Sequence, residues 1–127
     1  MTSLPANFYH VRLELAREPE HPTGEAEYGY DVVAPLDEMG KLDADNWRAH
    51  KDDCRVRRFR PNEDDEIGKL ARKPGGSWYF DYAEGDEDDE SGYRLGEEHF
   101  IAGEYVSVRE DDGEMHTYVV KSVVPLS

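Results

Sequence analysis

Residues 103–125, GEYVSVREDDGEMHTYVVKSVVP, constrain the fold more than any other stretch of this chain. Val106, Val108, Tyr118, Val120 and Val123 are strand formers, and they fall in two runs. Asp111-Asp112-Gly113 stands between the runs, where glycine accepts a positive φ at no steric cost. The segment therefore reads as a β-hairpin. A chain that ends in such a hairpin belongs with antiparallel β structure.

Other segments carry the same period of two. In NFYHVRLELAR, residues 7–17, Tyr9, Val11, Leu13 and Leu15 share one face, and Phe8, His10, Arg12 and Glu14 share the other. This alternation marks a half-buried strand. EPEHPTGE, residues 18–25, is a loop by its prolines and glycine. AEYGYDVVA, residues 26–34, resumes as a strand, and Gly29 within it suggests a bulge or a close approach by another backbone. DADNWRAHKD, residues 43–52, is the one helical pattern, with Asp43 placed to cap it and Trp47 placed to reach the core. CRVRRFR, residues 54–60, sets Cys54, Val56 and Arg58 opposite Arg55, Arg57 and Phe59. Ile67 and Leu70 fit a turn or a short strand. Lys73-Pro74-Gly75-Gly76 is a turn, and SWYFDY, residues 77–82, is an aromatic strand. EGDEDDESG, residues 84–92, is an acidic loop, and residues 93–101 have room for another short strand.

A chain of 127 residues fits one domain, here 1–127. At this size folding buries roughly two-thirds of the unfolded surface, so neither disulfide nor metal is needed for stability. Only 37% of the residues are hydrophobic, which leaves a thin core that must lean on its eight tyrosines, four phenylalanines and two tryptophans. The charge is uneven. The net charge is −15, and residues 74–114 alone carry −12. Such a field repels nucleic acid and anionic membranes and attracts basic protein surfaces or divalent cations. Cys54 is the single cysteine. With no signal-like start and no long apolar run, the expectation is a cytoplasmic protein.

Each chemical motif meets a competing structural reading. Glu87, Asp89, Ser91, Gly92 and Glu98 occupy positions one, three, five, six and twelve of a twelve-residue calcium loop. Glutamate at position one, Arg94 at position eight and a strand-like upstream flank all depart from that pattern, so a weak Ca²⁺ or Mg²⁺ site competes with a solvated loop. His50 and Cys54 stand four apart without a second ligand pair. His99 and His116 would meet only if their strands pair. Cys54 lies between Asp53 and Arg55, which pull a thiol pKa in opposite directions. No catalytic motif is present. On the aromatic strand, Tyr79 and Asp81 share a face, and with Asp86 and Asp88 they form a candidate surface for cationic groups of a partner. The basic run CRVRRFR fits internal charge compensation better than nucleic-acid binding.

The strings FYHVRLELAR, GYDVVAPL, WRAHKDDCRVRRF, PGGSWYFDY and GEYVSV span most of the length. On them the chain resembles a group of short uncharacterised bacterial proteins with no assigned activity. That resemblance implies no functional residue. The expected architecture is mainly β: a small antiparallel barrel or strongly curved sheet of six or seven strands with one short helix, the alternative being an open α+β sheet. The expected function is a non-enzymatic acidic β module that binds a basic partner protein. Self-association through an edge strand is a weaker third reading. The alternative is a small-ligand or divalent-metal-binding domain, or an enzyme with a carboxylate site.

Overall fold

The computed structural model describes residues 7–17, 25–61, 63–72, 78–82, 90–92, 99–109 and 114–126. Eight strands follow one another: β1 Phe8–Leu15, β2 Glu25–Pro35, β3 Arg55–Phe59, β4 Glu66–Arg72, β5 Trp78–Tyr82, β6 Glu90–Gly92, β7 Tyr105–Arg109 and β8 Met115–Pro125. Each pairs antiparallel with its neighbours in sequence, and β8 returns to pair with β1. The result is an up-and-down antiparallel barrel, which leaves no strand order to choose between. Closure is firm at β1–β8, from Tyr9↔Pro125 to Leu15↔Tyr118. It is thin at β6, which meets β5 from Trp78↔Gly92 to Phe80↔Glu90 and β7 only at Ser91↔Arg109 among the described residues.

The mainly β expectation therefore holds, and the open α+β alternative does not describe the molecule. Two expectations need correction. Among the described residues eight strands form rather than six or seven, because Ile67 and Leu70 lie in β4, a full strand. The acidic loop expected through residue 92 stops earlier, since Glu90–Gly92 are β6. This triplet of low β-propensity is held there by pairing with the aromatic strand β5, a case of tertiary context overriding local preference.

The interior is filled by the alternate residues the sequence marks. Val11, Leu13, Tyr30, Val32, Val56, Leu70, Phe80, Val106, Val108, Tyr118 and Val120 are all buried. Tyr30 packs on Phe80 and on Tyr118 with ring centroids 5.1 and 5.0 Å apart. These rings fill an eight-stranded barrel, whose lumen is just wide enough for side chains. A void of about 10 Å³ remains, lined only by apolar groups including Val11, Ala34, Leu70 and Phe100. Such a void stays dry.

At one end of β1 the alternation slips. Phe8 is fully buried and Tyr9 is half-buried, the reverse of the expected faces. The cause is local: Asn7 takes φ 67°, a left-handed turn that asparagine tolerates, and Phe8 enters beside the ring of His50.

The β2–β3 connection seals this end of the barrel. Its helix α1, Ala44–Ala49, is fewer than two turns long. Asp43 caps it as expected, accepting from the Asn46 N–H at 3.1 Å. The helix stops at His50, whose φ of −137° is not helical, and a 3₁₀ turn Lys51–Asp53 leads into β3. Trp47 lies edge-on to Trp78 at 5.2 Å and donates its indole N–H to the Leu70 carbonyl at 2.8 Å. Leu36 and Leu42 bridge the base of the loop, and the Phe100 N–H donates to the Gly40 carbonyl at 2.8 Å. Leu36, Leu42, Trp47 and Phe100 thus form an apolar plug.

On the outer wall of β1–β3, Asp31 is the hub of a polar cluster. It accepts from His10 at 2.9 Å, and its other oxygen binds Arg57, while Arg12 stands 3.6 Å away. The hydrogen bond to Asp31 holds the Arg57 guanidinium above its ordinary pKa despite partial burial. Arg57 also reaches Asp65 at 3.0 Å. Arg12 and Arg57 cover the ring of Phe59 at 4.3 and 5.3 Å, which buries an aromatic on the outward face. Among the described residues the carboxylate partners of the arginine strand include Asp31, Asp65 and Glu66; residues 84–89 of the acidic loop it was expected to face lie outside the described residues.

Candidate functional site

In an up-and-down barrel, consecutive connections alternate between the two ends. The plug closes one end. At the other end lie the end of β1, the start of β2, the end of β3, the start of β4, and the corresponding ends of β5 to β8. The four connections that join these strand ends are 16–24, 60–65, 83–89 and 110–114. In sequence they carry net charges of −1, −2, −5 and −4, a total of −12. The connections and tails at the plugged end carry −4 and the strands themselves +1. The antiparallel topology thus places most of the −15 on segments anchored at one rim.

The inner lining of that rim is of another character. Arg58 shares the inward face of β3 with Val56 and is only 6% exposed. It lies between Tyr30 on β2 and Glu66 on β4 in the register of the sheet, with the Glu66 carboxylate 3.9 Å away. Arg60 covers the ring of Tyr28 at 5.0 Å, and Tyr28 stacks on Tyr118 at 6.3 Å. His116 pairs opposite Val108, on the same face of β8 as Tyr118. A guanidinium inside a barrel costs several kcal/mol of desolvation unless charged or polar groups meet it, about 3–5 kcal/mol if a buried partner is removed. Arginines and tyrosines thus line the inside of this end, and the four connections that join its strands are acidic in sequence.

The residues singled out in the sequence distribute as follows. Tyr79 and Asp81 lie on the outer face of β5, Tyr79 half-buried and Asp81 exposed, with Ala71 and Lys69 as their cross-strand neighbours. Ser91 lies in β6 between Tyr79 and Arg109. The twelve-residue metal pattern is therefore not one continuous loop, because Glu90–Gly92, its fourth to sixth positions, are extended strand. Asp86, Asp88, Glu87, Asp89 and Glu98 lie outside the described residues, as do the turns at 73–76 and 111–113. Among the described residues no three His, Cys, Asp or Glu side chains converge as a metal site.

His99 and His116 do not meet. The His99 Nδ1–H donates to the Met39 carbonyl, 2.7 Å away at the plugged end, whereas His116 stands towards the acidic rim. His50 turns its Nδ1 to Asn46 at 3.0 Å, and the Cys54 sulfur points to the His50 carbonyl at 3.5 Å.

Cys54 is fully buried. Burial first, and the neighbouring Asp53 second, push its thiol from 9.0 up to about 12. The raised value makes the folded state hold the thiol proton more tightly than the unfolded chain. The stability this confers is complete below pH 9 and is lost as pH rises from 9 towards about 12. Urea melts of the protein minus those of Cys54→Ala should show a difference that shrinks by roughly 2–4 kcal/mol over that window. A flat difference curve would contradict the assignment. The thiol should also resist alkylation at pH 8 until the protein is unfolded.

Local sequence does not single out Arg58 or Asp31. Arg58 carries one signal, its parity with Val56, but a run of arginines suggests solvent. Asp31, in the string GYDVVA, carries none. No helix among the described residues is long and apolar enough to cross a membrane. Comparison with models of protein families, with curated proteins and with solved structures finds no match for this chain.

Proposed function

We propose that this protein is a non-enzymatic, cytoplasmic β-barrel module that binds a basic partner protein through its acidic end. One observation carries the reading: four connections with a total charge of −12 are anchored at a single rim of the barrel. A field of this kind raises the encounter rate with a basic surface and disfavours nucleic acid and anionic lipid. Tyr79 and Asp81 on β5 extend the surface along the wall, and Asp86 and Asp88 belong to the β5–β6 connection.

The test uses a ten-residue oligolysine peptide as the probe. Its affinity should fall about tenfold or more as NaCl rises from roughly 50 to 300 mM, since the Debye length, about 10 Å at 0.1 M, shortens with added salt. Asp86→Asn with Asp88→Asn should weaken binding, and Asp52→Asn with Asp53→Asn at the plugged end should not. Equal effects of the two pairs would sink the proposal, as would an affinity indifferent to salt.

A second reading, a small-ligand domain, is favoured by the inner rim of Arg58, Arg60, Glu66 and the stacked tyrosines, whereas its divalent-metal form draws on the carboxylates of the sequence and not on these guanidinium groups. Barrel mouths with convergent polar groups hold small ligands in other proteins. Calorimetry with calcium and magnesium tests its metal form, and no heat at about 1 mM would count against it.

A further inference from the structure

We infer that the plugged end of the barrel is a self-complementary surface through which two copies of this chain associate end to end. Four of the seven large apolar side chains exposed among the described residues lie at this end, Met39, Ile101, Val124 and Leu126, whereas Tyr105 pairs with Val119 farther up the wall. Met39, at 60% exposure, and Ile101, at 49%, flank Gly40, whose added Cβ would meet the Ile101 side chain at 3.1 Å. On the other side of Met39 an open groove of about 570 Å³ runs past Tyr9 and Leu36, and Asp37, Glu38 and Asp43 line it as well. Leu126 continues the surface, its N–H donating to the Phe8 carbonyl at 2.9 Å. Scattered exposed apolar residues are ordinary, but Met39 and Ile101 adjoin at Gly40 beside an open groove, and adjoining exposed side chains of this kind mark an interaction surface.

The charge distribution selects the occupant. With −15 overall, two copies repel, and they repel least when the −12 rims are farthest apart. Contact through the plugged ends achieves that. This end is also mixed in sign, with five Lys or Arg against nine Asp or Glu in its connections, where the opposite rim has two against fourteen. The exposed groove loop carries both signs three residues apart, at Glu38 and Lys41. Its backbone is fixed by the Asp37 N–H donating to the Lys41 carbonyl at 2.8 Å and by the Asp37 carboxylate accepting from the Met39 and Lys41 N–H groups at 2.8 and 3.0 Å. A two-fold axis brings residue i of one copy to residue j of the other and j to i, so Glu38 of each copy meets Lys41 of its mate. Met39 of each copy then enters the groove beside Tyr9 of the other.

End-to-end association is independent of the proposed function, and its salt dependence has the opposite sign. Screening weakens attraction of a basic probe to the rim but relieves repulsion between copies. Sedimentation velocity on the full chain at about 200 μM should give mostly monomer at roughly 50 mM NaCl and a dimer fraction that rises several-fold at about 1 M. Met39→Glu with Ile101→Glu should hold the protein monomeric in both salts. Both residues are exposed, so circular dichroism should remain that of the folded barrel. Asp86→Asn with Asp88→Asn and Asp89→Asn should instead promote the dimer at low salt. A monomer in all conditions overturns the inference. So does a dimer that survives the glutamate pair, and so does one that salt dissolves, which would implicate the acidic rim against a basic wall.

Discussion

Replacing Gly29 with alanine is expected to lower stability by about 3 kcal/mol, the upper part of the range for an overpacked site. Gly29 sits in β2 between Glu14 of β1 and Phe59 of β3. A Cβ there would overlap the Leu13 carbonyl oxygen and stand 3.0 Å from the Phe59 ring. The ring is held from above by Arg12 and Arg57, and the carbonyl is backbone, so neither yields cheaply. The substitution also stiffens the unfolded chain, worth only about 0.4–1 kcal/mol in the opposite direction. Steric cost wins. Urea unfolding should show a midpoint lower by about 1–2 M with an unchanged slope. Gly103 serves as the control: it has φ 96° and open space within 4 Å of an added Cβ, so alanine there meets only backbone strain of about 1–2 kcal/mol. If Gly29→Ala proved milder than Gly103→Ala, the close approach of β1 to β2 would be wrong.

Truncating Trp47 should cost more still, about 3–5 kcal/mol, a third or more of the stability of an ordinary domain. Trp47 is 7% exposed and joins three parts of the molecule. Its ring abuts Trp78 of β5, its N–H binds the Leu70 carbonyl of β4, and the Lys51 ammonium lies 5.1 Å over its face. The helix that carries it is too short to hold its shape alone. Trp47→Ala therefore loosens the plug as well as opening a cavity. Trp47→Phe keeps most of the burial and loses the hydrogen bond, for about 1–2 kcal/mol. Denaturant melts of the two variants should separate these terms. Equal losses would mean that the indole N–H, and not the packing, secures the plug.

The strands were legible wherever one face is apolar and the other polar. Val11, Leu13 and Leu15 in β1 and Val106, Val108, Tyr118 and Val120 in β7 and β8 are buried as their spacing implies. The Asp43 cap was legible for a similar reason, since a cap needs only its own neighbours. Local pattern fails where the deciding partner is distant in sequence. Glu90–Gly92 become a strand because Trp78 and Phe80 stand opposite them. Phe59 is buried on the outward face because Arg12, 47 positions earlier, lies over it.

The candidate site shows the same division. Tyr79 and Asp81 are placed on one face by a period of two, which local sequence contains. The interior position of Arg58 needed the closed ring, since only a barrel turns the Val56 face of β3 into a lumen.

By itself the sequence determined which residues alternate, where glycine and proline interrupt them, and how much negative charge the chain must carry. Those follow from steric preference and residue identity within a few positions. The tertiary structure alone decided that β8 meets β1, that one end is plugged by Leu36, Leu42, Trp47 and Phe100, and that the acidic connections share the other. Ring closure couples residues more than a hundred positions apart, and no local preference contains that pairing.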